Sequence, residues 1–192
     1  VAKTVRGTLM SEKATVDVLV TLKIFDNVAA SALYALRDRL GYSRIQSLHR
    51  SDYWSLVLHD LEGNRALEAV ERVVSKTALF ANPNKHRWST HVNVSLEDLV
   101  PREEGTTVAA VLVEDEDDAK AAGVREALIQ RGDLGQTIDV RHGTWWVLHF
   151  DGLSREDTLA AVNEIAVTKG RRQGLFCNPH YQRATVLVPE RP

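Results

Sequence analysis

A chain of 192 residues, 44% of them hydrophobic, can fill the core of one large domain or of two small ones. Its formal charge of −2, from 24 Lys and Arg against 26 Asp and Glu, gives no global basic field to attract nucleic acid or an anionic membrane. One cysteine, Cys177, excludes an intramolecular disulfide and a thiol-rich zinc site, and fits a reducing cytoplasm.

The first residues, VAKTVRGTLMSEK, are basic in places, but no apolar stretch of signal-peptide length follows them. No run approaches the ~18 apolar residues of a membrane span. Residues 1–14 read as a tail on a soluble, cytoplasmic protein. In TVDVLVTLK, Val16, Val18, Val20 and Leu22 share one face at period two, which predicts a strand. Ala29, Ala32, Leu33, Leu36 and Leu40 then recur at helical spacing, and Gly41 stands where a C-terminal cap belongs. SRIQSLHR and YWSLVLHD read as two short strands joined by a tight turn at Ser51-Asp52. A helix follows from about Gly63 to Ala78 with Leu67, Val70, Val74 and Thr77 inward, and HRWSTHVNV reads as a closing strand.

The polar segment from Val100 to Thr107, with Pro101 and Gly105, is a boundary, and beyond it the pattern returns. A strand is expected near Val108 to Val113, a helix from about Asp117 to Arg131, and strands near Thr137 to Arg141 and Trp145 to Asp151. A helix from about Arg155 to Lys169 and a strand near Arg183 to Val188 complete it. Local matches support a duplication. VLV at Val18 answers VLV at Val111, VLH at Val57 answers VLH at Val147, and Leu-Phe-x-Asn-Pro at Leu79 returns at Leu175. The predicted organisation is a tail (1–14), a first repeat (15–100), a linker (101–106) and a second repeat (107–192). The order β-α-β-β-α-β predicts α+β, two tandem ferredoxin-like units with both helices on one face of an antiparallel sheet.

Asn82-Pro83 and Asn178-Pro179 read as structural corners, since proline lacks an N–H and pushes its predecessor into an extended conformation, stopping a helix. Cys177 matches Ala81 of the first half, so it reads as a small packing residue. His86 and His91 fall on opposite faces of a strand and do not suit one metal ion. The run EDEDDAK from Glu114 to Lys120 reads as a solvated helix start, and Lys169, Arg171 and Arg172 as an exposed basic loop. No Walker A, dinucleotide, H-E-x-x-H or G-x-S-x-G pattern occurs, so no catalytic, cofactor or metal residues are expected. His59 and His149 occupy matched positions on the sheet face away from the helices. That face also carries Leu19, Tyr53 and Val57, with Trp145 and Val147 in the second half, and is too apolar to stay open. These seven residues are the expected interface, covered by the other half or by another copy of the chain.

VLVTLK followed by a helix ending LRDRLGY, a predicted hairpin, a helix ending ALFANP and a last strand resembles the PurS family. PurS is the small subunit of phosphoribosylformylglycinamidine synthase in purine biosynthesis. VRHGTWWVLHF and GLFCNP carry the likeness into the second half, so the resemblance runs from about Val16 to Val188. The sequence departs at IFDNVAA, where the family usually shows a Pro-Gly loop. The resemblance implies a non-catalytic ligase subunit that pairs as a dimer and bridges the synthetase (PurL-type) and glutaminase (PurQ-type) subunits, assisting ammonia transfer. ATP, Mg and glutamine would be used by those partners and no cofactor by this chain, which would be a covalent version of the dimer with further homodimerisation open. An ACT-like small-molecule-binding regulatory module is the alternative, since it shares the strand order. An RNA-recognition module ranks behind it, since the central strands lack its exposed aromatics and basic surround.

Overall fold

The computed structural model describes residues 13–59, 61–132, 134, 138–170 and 173–190. The first twelve residues of the predicted tail lie outside the described residues, as do Arg171 and Arg172 of the basic loop. The described chain is α+β, with a six-stranded antiparallel sheet and four α-helices. In chain order these are β1 (Ala14–Leu22), α1 (Asn27–Tyr34), β2 (Ile45–Leu58), α2 (Gly63–Lys76) and β3 (His86–Val92), then β4 (Thr106–Asp115), α3 (Ala119–Arg131), β5 (Ile138–Asp151), α4 (Arg155–Ala166) and β6 (Gln182–Leu187). A π-helical turn, Ala35–Arg39, extends α1 and gives way to Gly41 at φ +84°. Among the described residues no helix is long and apolar enough to cross a membrane.

The strands lie in the order β3-β1-β2-β5-β4-β6. The predicted hairpins do not form. Ser51-Asp52 lies inside β2, and the residues between the two strands expected in the second half lie inside β5; each is a single strand of 14 residues. The two pair with each other along nearly their whole length, with Tyr53 opposite Gly143. Polar residues that look like turn formers are here satisfied within the sheet: the Ser51 and Thr21 hydroxyls lie 2.7 Å apart, and Asp52 faces Lys120 at 3.8 Å. Gly143 is a point of close approach and not a turn. A Cβ there would stand 2.7 Å from the Val113 carbonyl oxygen and 2.9 Å from a Leu112 methyl.

All four helices lie on one face of the sheet. Alternation puts Val16, Val18, Val20, Trp54, Leu56 and Leu58 on that face, under Ala66, Val70, Val73 and Val74 of α2 and Val124 and Leu128 of α3. The second core packs Ala109, Val111, Trp146, Leu148 and Phe150 under Val162 and Ile165 of α4, with Ala29 of α1 and Leu36 of the following turn. Each fully buried Val, Leu or Phe side chain contributes roughly 1.5–3 kcal/mol. Each core therefore draws helices from both sides of the linker.

The Asn-Pro corners are built alike, but neither ends its helix. α2 stops at Lys76 because Thr77 is extended (φ −124°, ψ 158°), and α4 stops at Ala166 because Val167 is extended. Asn82 and Asn178 instead shape the turns into β3 and β6. The Asn82 carbonyl accepts from the Lys85 and His86 amides at 2.9 and 2.8 Å, and its side chain accepts from the Asn84 amide. The Asn178 carbonyl accepts from the Tyr181 and Gln182 amides at 3.1 and 2.9 Å, and its side chain from the His180 amide. Pro83 and Pro179 follow each Asn, where their lack of an N–H removes a competing donor. Cys177 is buried in the second core with its thiol donating to the Gln182 carbonyl, and burial pushes that thiol up, away from thiolate reactivity.

Substituting Gly143→Ala forces β4 away from β5 and is expected to cost about 1–3 kcal/mol, read as a lower urea-unfolding midpoint. An unchanged midpoint would mean that β4 yields freely at this crossing.

Candidate interaction face

The face opposite the helices is where the sequence places its candidate residues, and alternation along β1, β2 and β5 brings all of them there except His59, which follows the end of β2. Tyr53, Trp145, Val147 and His149 are buried within the chain. Their cover comes from the connection between β3 and β4. A 3-10 turn, Leu96–Leu99, held by a reciprocal Ser95–Asp98 cap, lays Leu99 and Val100 over Val108, Ala110, Leu112 and Trp145. The two halves meet edge to edge, so neither roofs the other; the expected cover is replaced by a connection of this same chain. Leu19 is partly buried against the cluster, Val57 is half-buried, and His59 lies 3.7 Å from Asp139.

The acids under this roof are paired, whereas the buried Trp145 indole N–H has no hydrogen-bond partner among the described residues. Asp17, buried in β1, accepts a 2.8 Å hydrogen bond from the Tyr53 hydroxyl, and the Tyr53 ring stacks on Trp145 with centroids 6.1 Å apart. Burial first, and the Asp17 charge second, hold the Tyr53 hydroxyl well above its ordinary titration range. Its role is to donate one hydrogen bond to a carboxylate out of water. Glu114, expected in a solvated helix start, is instead buried at the end of β4, between Arg141 at 3.5 Å and Arg183 at 3.6 Å. A carboxylate has no proton to give, so His149 donates from Nδ1 to Glu103 at 3.1 Å.

His49, which sequence reading passes over, stands edge-on to His149 with ring centroids 5.4 Å apart. Burial, then His149, lower its pKa; Arg87 adds to the effect and Glu103 opposes it. His49, His149, Arg87, Glu103 and Ser51 line an open cleft of ≈ 290 Å³ between the roof and β1. The period-two pattern alone could have put His49 on the same face as Tyr53, since both face away from Leu48 and Trp54. On the helix side, Lys120 donates to Nε2 of His142 at 3.0 Å and covers the Trp54 ring at 4.9 Å. Ammonium only donates, so the His142 proton sits on Nδ1, 3.8 Å from Asp118, the N-cap of α3. Burial, then Lys120, lower the His142 pKa against the opposing pull of Asp118, Asp52 and Asp115.

On β3 the Ser89 hydroxyl lies 3.1 Å from Nε2 of His91 on this face, and among the described residues no group of three His, Cys, Asp or Glu side chains is placed to hold a metal ion. The geometry suits packing and docking. No family model, no curated protein and no solved structure matches the chain.

His49 and His142 both resist protonation in the folded chain, so the unfolded chain takes up protons first as pH falls through the ordinary value of 6.5. Stability contributed by these groups is present above that pH and lost below it, down to their folded-state values. The melting temperature should fall between pH 7 and 5, with a shallower fall in His142→Gln. An equal slope in the variant would remove His142 as a source.

Proposed function

We propose that the chain is a tandem PurS-like scaffold, the non-catalytic subunit of glutamine-dependent phosphoribosylformylglycinamidine synthase. It would hold the synthetase and glutaminase together and assist passage of ammonia between them, with ATP, Mg and glutamine used by those partners. The observation that carries this reading is the palindromic strand order, joined at its centre by two strands of 14 residues. Two separate small subunits pairing through their longest strands would make the same sheet. The halves also reuse parts: Asp26 and Asp118 each cap a helix while pairing with β2 and β5, through Arg50 at 3.0 Å and His142 at 3.8 Å.

The rivals fare less well. An amino-acid sensor needs a free acceptor for the ammonium group near the first strand-to-helix loop, yet Asp26 already accepts from two α1 amides and from Arg50. An RNA-recognition sheet needs exposed aromatics on its central strands, whereas Tyr53 and Trp145 are 1% exposed.

Reconstitution tests the proposal. With purified synthetase and glutaminase, this chain should co-elute with both, and its omission should lower glutamine-dependent product formation at least tenfold while ammonia-dependent formation persists. A glutamine-dependent rate that is the same without the chain would overturn the reading.

A further inference from the structure

β1 pairs with β2 only as far as Val20 opposite Asp52, whereas β2 continues to Ile45 on the support of β5. The chain leaves the sheet after Leu22 and turns through Lys23–Asp26 into α1. A cleft of ≈ 390 Å³ opens between that turn and residues 47–50 of β2. It lies within the ~300–1,000 Å³ range of small-molecule sites.

Its walls divide by chemistry. Leu33, Leu48 and Ala29 form an apolar floor, and Ile24 and Phe25 stand over it, 67% and 74% exposed. Lys23, Arg50 and Arg87 are the cations, and Asp26 is the only carboxylate among the described lining residues. Asp26 is consumed by Arg50 at 3.0 Å and by the α1 amides. Lys23 and Arg87 have no ion pair with a carboxylate among the described residues. Arg87 stands on the face away from the helices, opposite Thr21 of β1, and Lys23 follows directly on the end of β1, its amide donating to the Lys85 carbonyl at 2.8 Å. The Lys23 ammonium is anchored on the Pro83 carbonyl at 2.7 Å, and among the described residues Arg87 has no carboxylate within ion-pair distance. His49 lies beside Arg87 and shares this cleft and the neighbouring one.

The matching turn of the second half shows what such a gap takes when the chain fills it. There Asp118 caps α3, and Lys120, two residues on, reaches over the Trp54 ring and onto His142. Two residues beyond Asp26 stands Val28, which is 50% exposed and places no charge in the first gap. One gap is closed by a residue of the chain, and the other is left with an apolar floor beside two cations that no carboxylate among the described residues neutralises.

From this juxtaposition we infer that the cleft between the Lys23–Asp26 turn and β2 binds a phosphate monoester with a small apolar or aromatic body, its dianion held by Arg87 and Lys23. A phosphomonoester carries close to two negative charges at neutral pH and presents three acceptor oxygens, matching an Arg fork and an ammonium. The apolar body lies on Leu48 and Leu33 under Phe25. An amino acid is a poorer fit, because no carboxylate is free for its ammonium. Such a site belongs to the chain whether or not it assembles with a synthetase.

Phenyl phosphate is a suitable probe, titrated calorimetrically into the full-length chain at pH 7.5 and low salt, beside inorganic phosphate, benzoate and glycine. Phenyl phosphate should bind at one site, at least tenfold tighter than inorganic phosphate or benzoate, and glycine should give no heat. Arg87→Ala should weaken phenyl phosphate at least tenfold without lowering the melting temperature of the free chain, and Phe25→Ser should weaken phenyl phosphate but not inorganic phosphate. Absence of phenyl phosphate binding at millimolar concentration overturns the proposal. Equal affinity for inorganic phosphate, or an unchanged affinity in Arg87→Ala, overturns it as well.

Discussion

The pairing of β2 with β5 is the constraint on which the rest of the molecule depends. Among the described residues it is the longest register in the sheet and the only ladder that joins the segments on either side of the linker. Without it, each three-stranded sheet would end in a bare 14-residue edge, an invitation to pair with any other chain. With it, the remaining edges are β3 and β6, of 7 and 6 residues, which carry His86, Arg87, His91 and Arg183. The same pairing brings α1 over the strands of the second core and α3 over those of the first. The helix layer thus crosses the join, and separating the halves would strip apolar cover from both cores.

The opposite face obeys a different economy. Six strands offer two faces, and four helices cover one. The connection between β3 and β4 occurs once, so its roof of Leu99 and Val100 favours one side, over Val108, Ala110, Leu112 and Trp145, and leaves Leu19 only partly buried and Val57 half-buried. Burial also dictates the chemistry there: every acid drawn under or beside the roof has a donor aimed at it, Tyr53 for Asp17, two arginines for Glu114, His149 for Glu103. The face away from the helices is thus covered unevenly, more on the β4–β5 side than over Leu19 and Val57.

Much of this was legible in the residues. Period two placed Val16, Val18 and Val20 inward and Tyr53, Trp145 and His149 on the other face, and helical spacing found Val70 and Val74 of the buried stripe of α2 but not Ala66 and Val73. What failed was the reading of a tight turn at Ser51-Asp52 and of a break between Arg141 and Trp145. Local chemistry favours turns at such residues. The partners that hold them in a strand, Thr21, Lys120 and the close approach of β4, lie far away along the chain. Pro83 and Pro179 were read as helix stops for a similar reason, since the extended Thr77 and Val167 that end the helices bear no strong sequence signal. The roof was invisible because Val100 to Thr107 is polar in composition, although Leu99 and Val100 point inward.

On the scaffold reading, covalent fusion has a physical consequence that an assembly of identical subunits cannot reach. A symmetric pair must present the same corner twice. Here the corner after β1 carries Lys23, Ile24 and Phe25 beside Arg87, while the corner after β4 carries Asp115, Glu116 and Asp117. Because strand direction alternates across the sheet, β1 and β4 run in opposite senses, and these corners lie at opposite ends of the molecule. One end therefore attracts an anionic, partly apolar surface or ligand and the other a cationic one, with their fields separated by more than a Debye length of ~8 Å. Two unlike partners can be steered to two unlike ends of one sheet, which is what a subunit that bridges a synthetase and a glutaminase requires and what a pair of identical subunits can provide only after binding has broken its symmetry.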